Sequence, residues 1–141
     1  MLKGIPKNIS PELLKVLMEM GHGDEIVIAD GNYPAASNAK KLVRCDGLNI
    51  PKLLESILIL FPIDVYVDSA IILMSTVNGD SKPEIWEIYK NIFNKKNVEN
   101  NNITYMRRED FYERGKKEYA IVATGEEAIY ANIILKKGVI K

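Results

Sequence analysis

The sequence is poor in several residue types that would announce a particular chemistry. It contains a single cysteine, Cys45, so no disulfide can close within the chain, which suits a reducing compartment. Histidine is equally scarce, His22 being the only one. A metal site would therefore rest on carboxylates, and neither the spacing of a calcium loop nor a histidine pair occurs. An excess of one charge is missing too. The 19 basic and 19 acidic side chains cancel, leaving no overall field to draw the chain to nucleic acid or to an anionic lipid surface. No apolar run approaches the ~20 residues that a membrane helix needs, and residues 1–7 lack the apolar core of a signal peptide. Without an export signal, Asn8-Ile9-Ser10 and Asn102-Ile103-Thr104 read as chance glycosylation sequons. The expectation is a cytoplasmic protein with no nucleic-acid and no membrane partner.

What is present fits an ordinary globular domain. At 141 residues, 47% hydrophobic and 27% charged, the chain can bury a core without covalent staples. Residues 1–141 read as one domain, with no repeat, low-complexity tract or linker. Ser10-Pro11-Glu12 starts a helix with a serine cap, a proline at the first helical position and an acid in the first turn. It runs to Met20, with Leu13, Leu14, Leu17 and Met18 on one side, and Gly21 ends it. Residues 25–29 are, after Glu25, an apolar run rich in β-branching, the pattern of a buried strand, and Asp30-Gly31 turns after them. Pro51 opens a second helix to Leu60, closed by Pro62. Residues 69–76 read as a strand, Asn78-Gly79-Asp80 as a turn, and 84–95 as a third helix with Ile85, Ile88, Tyr89 and Ile92 on one face. A polar loop covers 97–102. A short strand follows at 103–106, a fourth helix at 108–117, and two closing strands at 119–123 and 131–135 around a tight turn at Gly125. Such alternation predicts an α/β domain, a mostly parallel sheet with helices on both faces.

Few positions offer chemistry. His22 lies between Gly21 and Gly23, past a helix end and before a buried strand. The glycines free the backbone and leave the imidazole uncrowded. An unperturbed pKa near ~6.5 makes histidine the natural proton carrier at neutral pH; the alternative is a surface histidine in a turn. Asp30 ends the first strand, where open α/β sheets form their ligand crevice. There it binds a hydroxyl or orients an imidazole, or it merely builds an Asx turn ahead of Gly31. Asp24 has the same two readings, the plainer being the start of the strand. Arg108, within Arg107-Arg108-Glu109-Asp110, is either part of a solvated helix start or a fan of five donors aimed at ligand oxygens. Tyr130 and Asn132 flank Ala131 in the last strand, where alternation sends both to one face. Edge exposure or a polyhydroxyl ligand would each explain two polar groups in an Ile-Ile-Leu setting. Arg44 beside Cys45 would lower the thiol pKa, whereas a lone cysteine is more often a small buried hydrophobe. Trp86 reads as core rather than as a stacking platform, because its neighbours share the helical stripe. Gly21-His22-Gly23 begins like a phosphate-binding loop, but no third glycine or Lys-Ser/Thr follows.

Two blocks then match a known pattern in order and spacing across the whole chain. The first is Ile9-Ser10-Pro11-Glu12-Leu13-Leu14-Lys15-Val16-Leu17 with Gly21-His22-Gly23-Asp24-Glu25-Ile26, followed by Asp30 and Pro34. The second is Phe111-Tyr112-Glu113-Arg114, Thr124-Gly125-Glu126 and Tyr130-Ala131-Asn132-Ile133-Ile134-Leu135-Lys136-Lys137-Gly138-Val139. In these blocks the chain resembles the L-fucose mutarotase and D-ribose pyranase family. The resemblance implies that family's fold and an enzyme that interconverts the α and β anomers of a free monosaccharide without a cofactor. It implies His22 as catalytic acid/base, with Asp30, Arg108, Tyr130, Ala131 and Asn132 contacting the sugar. Arginine at 108, where the pyranase branch typically has histidine, favours the fucose branch. Asp30-Gly31 replaces the more usual Asp-Ala, a change that loosens the turn and removes no chemical group. A ring-shaped homo-oligomer, commonly a decamer of two stacked pentamers with sites near subunit boundaries, is implied as well. The rival reading is a non-catalytic monosaccharide-binding accessory of sugar transport or regulation, which only His22 discriminates. A different kind of sugar isomerase would need a metal or a second base.

Overall fold

The computed structural model describes residues 1–141. Eleven elements follow one another: α1 (Pro11–Glu19), β1 (Glu25–Ala29), α2 (Ala35–Asn38), β2 (Leu42–Cys45), α3 (Ile50–Leu60), β3 (Ile71–Met74), α4 (Ile85–Lys95), β4 (Ile103–Met106), α5 (Arg108–Gly115), β5 (Ala120–Thr124) and β6 (Ile133–Lys136). The Ser10 hydroxyl caps α1 by accepting the Leu13 N–H at 3.1 Å, as its sequence predicts. The buried stripe is rotated from the expected one, with Val16 inside and Met18 exposed. At the other end of α1 the Lys137 ammonium donates to the carbonyls of Leu17 and Met20, a cation on the negative end of the helix.

The sheet has six strands in the order β2-β5-β1-β6-β3-β4. β1/β5, β2/β5 and β3/β4 are parallel, whereas β6 runs antiparallel to both its neighbours, so the sheet is mixed and mostly parallel. Helices cover both faces, as expected. On one, α1, α3 and α4 pack Leu13, Leu53, Leu54, Tyr89 and Phe93 against Ile26 and Ile28 of β1. On the other, Tyr33, Ala35 and Phe111 pack against Val27 and Ala29. Strand alternation divides β1 between the two cores, and burying each Ile or Val there contributes roughly 1.5–3 kcal/mol. Close approach on the second face demands Gly115, where an added Cβ would lie 2.1 Å from the Tyr33 hydroxyl. No helix is long and apolar enough to cross a membrane.

α2 and β2 occupy a stretch whose local pattern was not assigned, and β2 alternates exposed and buried residues at the sheet edge. The two closing strands, β5 and β6, do not pair with each other, because β1 lies between them.

Strand direction decides what the two ends of the sheet collect. β1, β3 and β4 all finish at the end where Asp30, Met74 and Arg108 lie, and antiparallel β6 begins there, just after Asn132. The opposite end holds the turn with His22, the Asp64 that precedes β3, and Lys136 and Lys137 at the end of β6. Beneath that end Arg114 makes two hydrogen bonds to buried Glu25, at 2.6 and 2.8 Å, joined by Lys136 at 3.0 Å and Glu118 beside Arg114 at 3.4 Å. This pins α5 to β1 and β6.

Candidate active site

The cleft at the C-terminal end of β1 encloses about 200 Å³ between Asp30, Asn32, Met74, Arg108, Tyr112, Ile129, Tyr130 and Asn132. That lies below the ~300 Å³ lower bound for drug-sized ligands and suits one small molecule. Asp30 is buried. Its N–H donates to the Asn132 side-chain oxygen at 2.8 Å, and its carboxylate accepts the Asn32 N–H at 3.0 Å. Burial pushes the Asp30 pKa up, and the N–H groups of Asn32, Tyr33 and Ala131 with the Asn132 amide pull against that rise. Asp30 thus forms the Asx turn of the plainer reading and lines the cleft as well.

Tyr130 and Asn132 do share the cleft, but not through strand alternation. They precede β6, and Tyr130 has a left-handed backbone with φ of 57°, which costs a non-glycine residue about 1–2 kcal/mol. α4 holds this conformation. Trp86 Nε1–H donates to the Tyr130 carbonyl at 2.9 Å and the Tyr89 hydroxyl to the Ala131 carbonyl at 2.7 Å. Ala131 is fully buried, its carbonyl taken by Tyr89 and its N–H turned to Asp30. Trp86 is core, as read from its stripe, and it also supports the cleft. Arg108 opens α5 with its side chain half in solvent, one amino group 3.2 Å from Glu109 and the rest of its donors free for a ligand.

His22 lies at the other end of β1. About 3.3 Å per residue over the five residues of that strand separates the ends by roughly 17 Å. Within one chain the imidazole therefore meets neither Asp30 nor Arg108. Its carboxylate partner is Asp64, with Nε2 3.2 Å from the Asp64 Oδ1 that also accepts the Tyr66 N–H at 3.0 Å. In the tautomer in which Nε2 donates to that carboxylate oxygen, Nδ1 is the nitrogen left to accept. The Asp64 side chain is 3% exposed and that of His22 49%, an anchored ring open on its outer side. Tyr66 packs edge-on against it at 5.8 Å. The turn is closed by Asp24, whose carboxylate accepts the Gly21 N–H at 2.7 Å, which gives Asp24 its structural role. Gly23, with φ of 87°, needs to be glycine.

Cys45 is buried and burial raises its pKa, contrary to the effect expected of Arg44, whose guanidinium is engaged with Asp46 at 2.6 Å. No three His, Cys, Asp or Glu side chains stand close enough together to hold a metal ion. A larger cleft of about 360 Å³ near Leu58, Phe61, Val98 and Lys141 gathers no buried polar side chain, which makes the Asp30 cleft the better ligand site.

Residues 3–140 match the RbsD / FucU transport protein family. The L-fucose mutarotase of Haemophilus influenzae is 51% identical over 140 residues, covering 99% of this chain and 97% of the relative. The fucose mutarotase of Mus musculus is 48% identical, covering 97% and 94%. Among solved structures, the fucose mutarotase in complex with L-fucose from Streptococcus pneumoniae superposes with a TM-score of 0.96 at 66% identity, covering 99% of this chain and all of the other. The chain belongs to the RbsD / FucU family.

Proposed function

We propose that this protein is an L-fucose mutarotase, interconverting the α and β anomers of the free sugar by general acid/base catalysis. The observation that carries the reading is the cleft of one-sugar size at Asp30, in a chain 66% identical to a fucose mutarotase solved with L-fucose. Anomerisation takes a proton from the C1 hydroxyl, gives one to the ring oxygen and breaks the bond between C1 and that oxygen. The resulting aldehyde turns about the C1–C2 bond, and the same hydroxyl closes on its other face with the protons returned. Nothing is oxidised and no group leaves, so the reaction consumes no co-substrate.

In this proposal Asp30 accepts from a sugar hydroxyl while Arg108 and the Asn132 amide donate. Tyr130 offers an apolar face and a phenol oxygen, and Ala131 fixes the backbone between them. His22 moves the proton through Nδ1, a role worth about 10²–10⁴ in rate. Because roughly 17 Å of β1 separates His22 from the cleft, the working site pairs the cleft of one subunit with His22 of another. Supporting this are the half-open imidazole and the exposed apolar side chains beside each half, Tyr66 next to His22 and Ile129 at the cleft. The assembly is the ring-shaped decamer of two stacked pentamers, working in the cytoplasm.

Saturation-transfer NMR on L-fucose tests the reading. Catalysis carries saturation between the α and β anomeric signals faster than the uncatalysed exchange. A protein that binds the sugar and leaves that exchange unaltered is instead an accessory binding protein.

A further inference from the structure

Tyr130 is held at both ends of its side chain. Its backbone is fixed by the bonds from Trp86 and Tyr89, and its hydroxyl donates to the Asp80 carboxylate and accepts the Val77 N–H at 3.4 Å. Val77 and Asp80 belong to the exposed connection between β3 and α4, which leaves the sheet at Met74, a residue of the cleft wall. The connection turns at Gly79, where φ is 96°, and the Asp80 N–H donates back to the Val77 carbonyl at 3.2 Å. The turn therefore delivers one carboxylate to the tip of one cleft tyrosine.

We infer that Asp80 is a positioning residue for sugar recognition: by accepting the hydrogen bond that the Tyr130 hydroxyl donates it fixes the phenol and commits its oxygen to accept from a sugar hydroxyl. The inference rests on the mutarotase reading. A phenol has one proton to give. With its hydrogen directed at Asp80 and the Val77 N–H on one lone pair of the oxygen, one acceptor position remains for a hydroxyl of a sugar bound in the cleft that Tyr130 lines. Without Asp80 the hydroxyl rotates, and its hydrogen competes with sugar hydroxyls for the same space. The bond from Asp80 also raises the Tyr130 pKa, which keeps the phenol protonated.

The test compares Asp80→Ala, Asp80→Asn and Tyr130→Phe in the full-length protein, with L-fucose as substrate. Asp80→Ala is expected to raise KM about tenfold, the size of losing one charge-assisted hydrogen bond, and to leave the exchange rate at saturation unchanged. Asp80→Asn, which still accepts a hydrogen bond from the phenol, recovers part of that loss. In a Tyr130→Phe background Asp80→Ala has no further effect, because the contact through which it acts is gone. A wild-type KM for Asp80→Ala, or an equal rise in the Tyr130→Phe background, overturns the inference. L-fucose binding measured by saturation-transfer difference follows the same contact without turnover. A wild-type protein that binds L-fucose but does not exchange its anomers would thus sink the mutarotase reading, while binding to the variants still decides the role of Asp80.

Discussion

The two ends of β1 are built to opposite specifications. At the C-terminal end Asp30 and Asn132 are buried and hydrogen-bonded to each other, and Tyr130 is held in a left-handed backbone by two aromatic side chains of α4. At the N-terminal end an imidazole stands half in solvent on a glycine-jointed turn, with a single buried carboxylate behind it. Recognition of a polyhydroxyl ligand needs donors and acceptors that cost nothing to organise on binding. A proton carrier needs the reverse, one free nitrogen with an open approach. Separating the two along a rigid strand lets each be optimised, and under the proposed shared site it is the assembly of subunits that would reunite them.

Substitutions at the two ends should therefore fail differently. The largest effect belongs to His22→Ala, expected to slow anomer exchange at saturating L-fucose by about 10²–10⁴ with binding nearly unchanged. Exchange and saturation-transfer difference spectra measure the two separately, and parallel loss of both would erase the distinction between the ends. Asp30→Asn is expected to weaken L-fucose binding by about 10- to 100-fold, the loss of a hydrogen bond to a charged acceptor. Asp64→Asn keeps an oxygen for the Tyr66 N–H and removes the charge behind His22. It should lower the saturated rate about fivefold with KM unchanged, in the range of a hydrogen-bond partner that acts through its neighbour. The smallest effect on activity is that of Glu118→Gln, below the His22 end. Burial and the neighbouring Glu25 push the Glu118 pKa from 4.5 up to about 8. A carboxyl whose pKa is raised by folding gives its stabilisation in full below pH 4.5 and loses it as the pH rises to about 8. Thermal unfolding across that window should show the wild type declining and Glu118→Gln flatter, with exchange activity kept.

The same contrast explains what was legible in the sequence. α1, β1, α3 and α4 were readable because caps, prolines and apolar periodicity are local signals. β2 was not, although Leu42-Val43-Arg44-Cys45 alternates and Asp46-Gly47 follows it, because four residues at a sheet edge carry little pattern. The antiparallel insertion of β6 between β1 and β3 depends on pairing across the chain, which no window of sequence contains. The cleft side chains Asp30, Arg108, Tyr130 and Asn132 were found by chain position and resemblance, and they do converge. The partner of His22 was missed. Its signal was a lone acid between Ile63 and Val65, two residues after the Pro62 that closes α3. Asp80 was visible only as the last residue of a turn.

The central claim, a site shared between subunits, is tested most directly by mixing. His22→Ala and Asp30→Asn, each impaired alone, are co-expressed and co-purified as mixed oligomers. If His22 serves a neighbour's cleft, about a quarter of the sites in a random one-to-one assembly regain both intact halves, and L-fucose exchange returns toward that fraction of wild type. Mixed oligomers no faster than the average of the two variants would contradict the account.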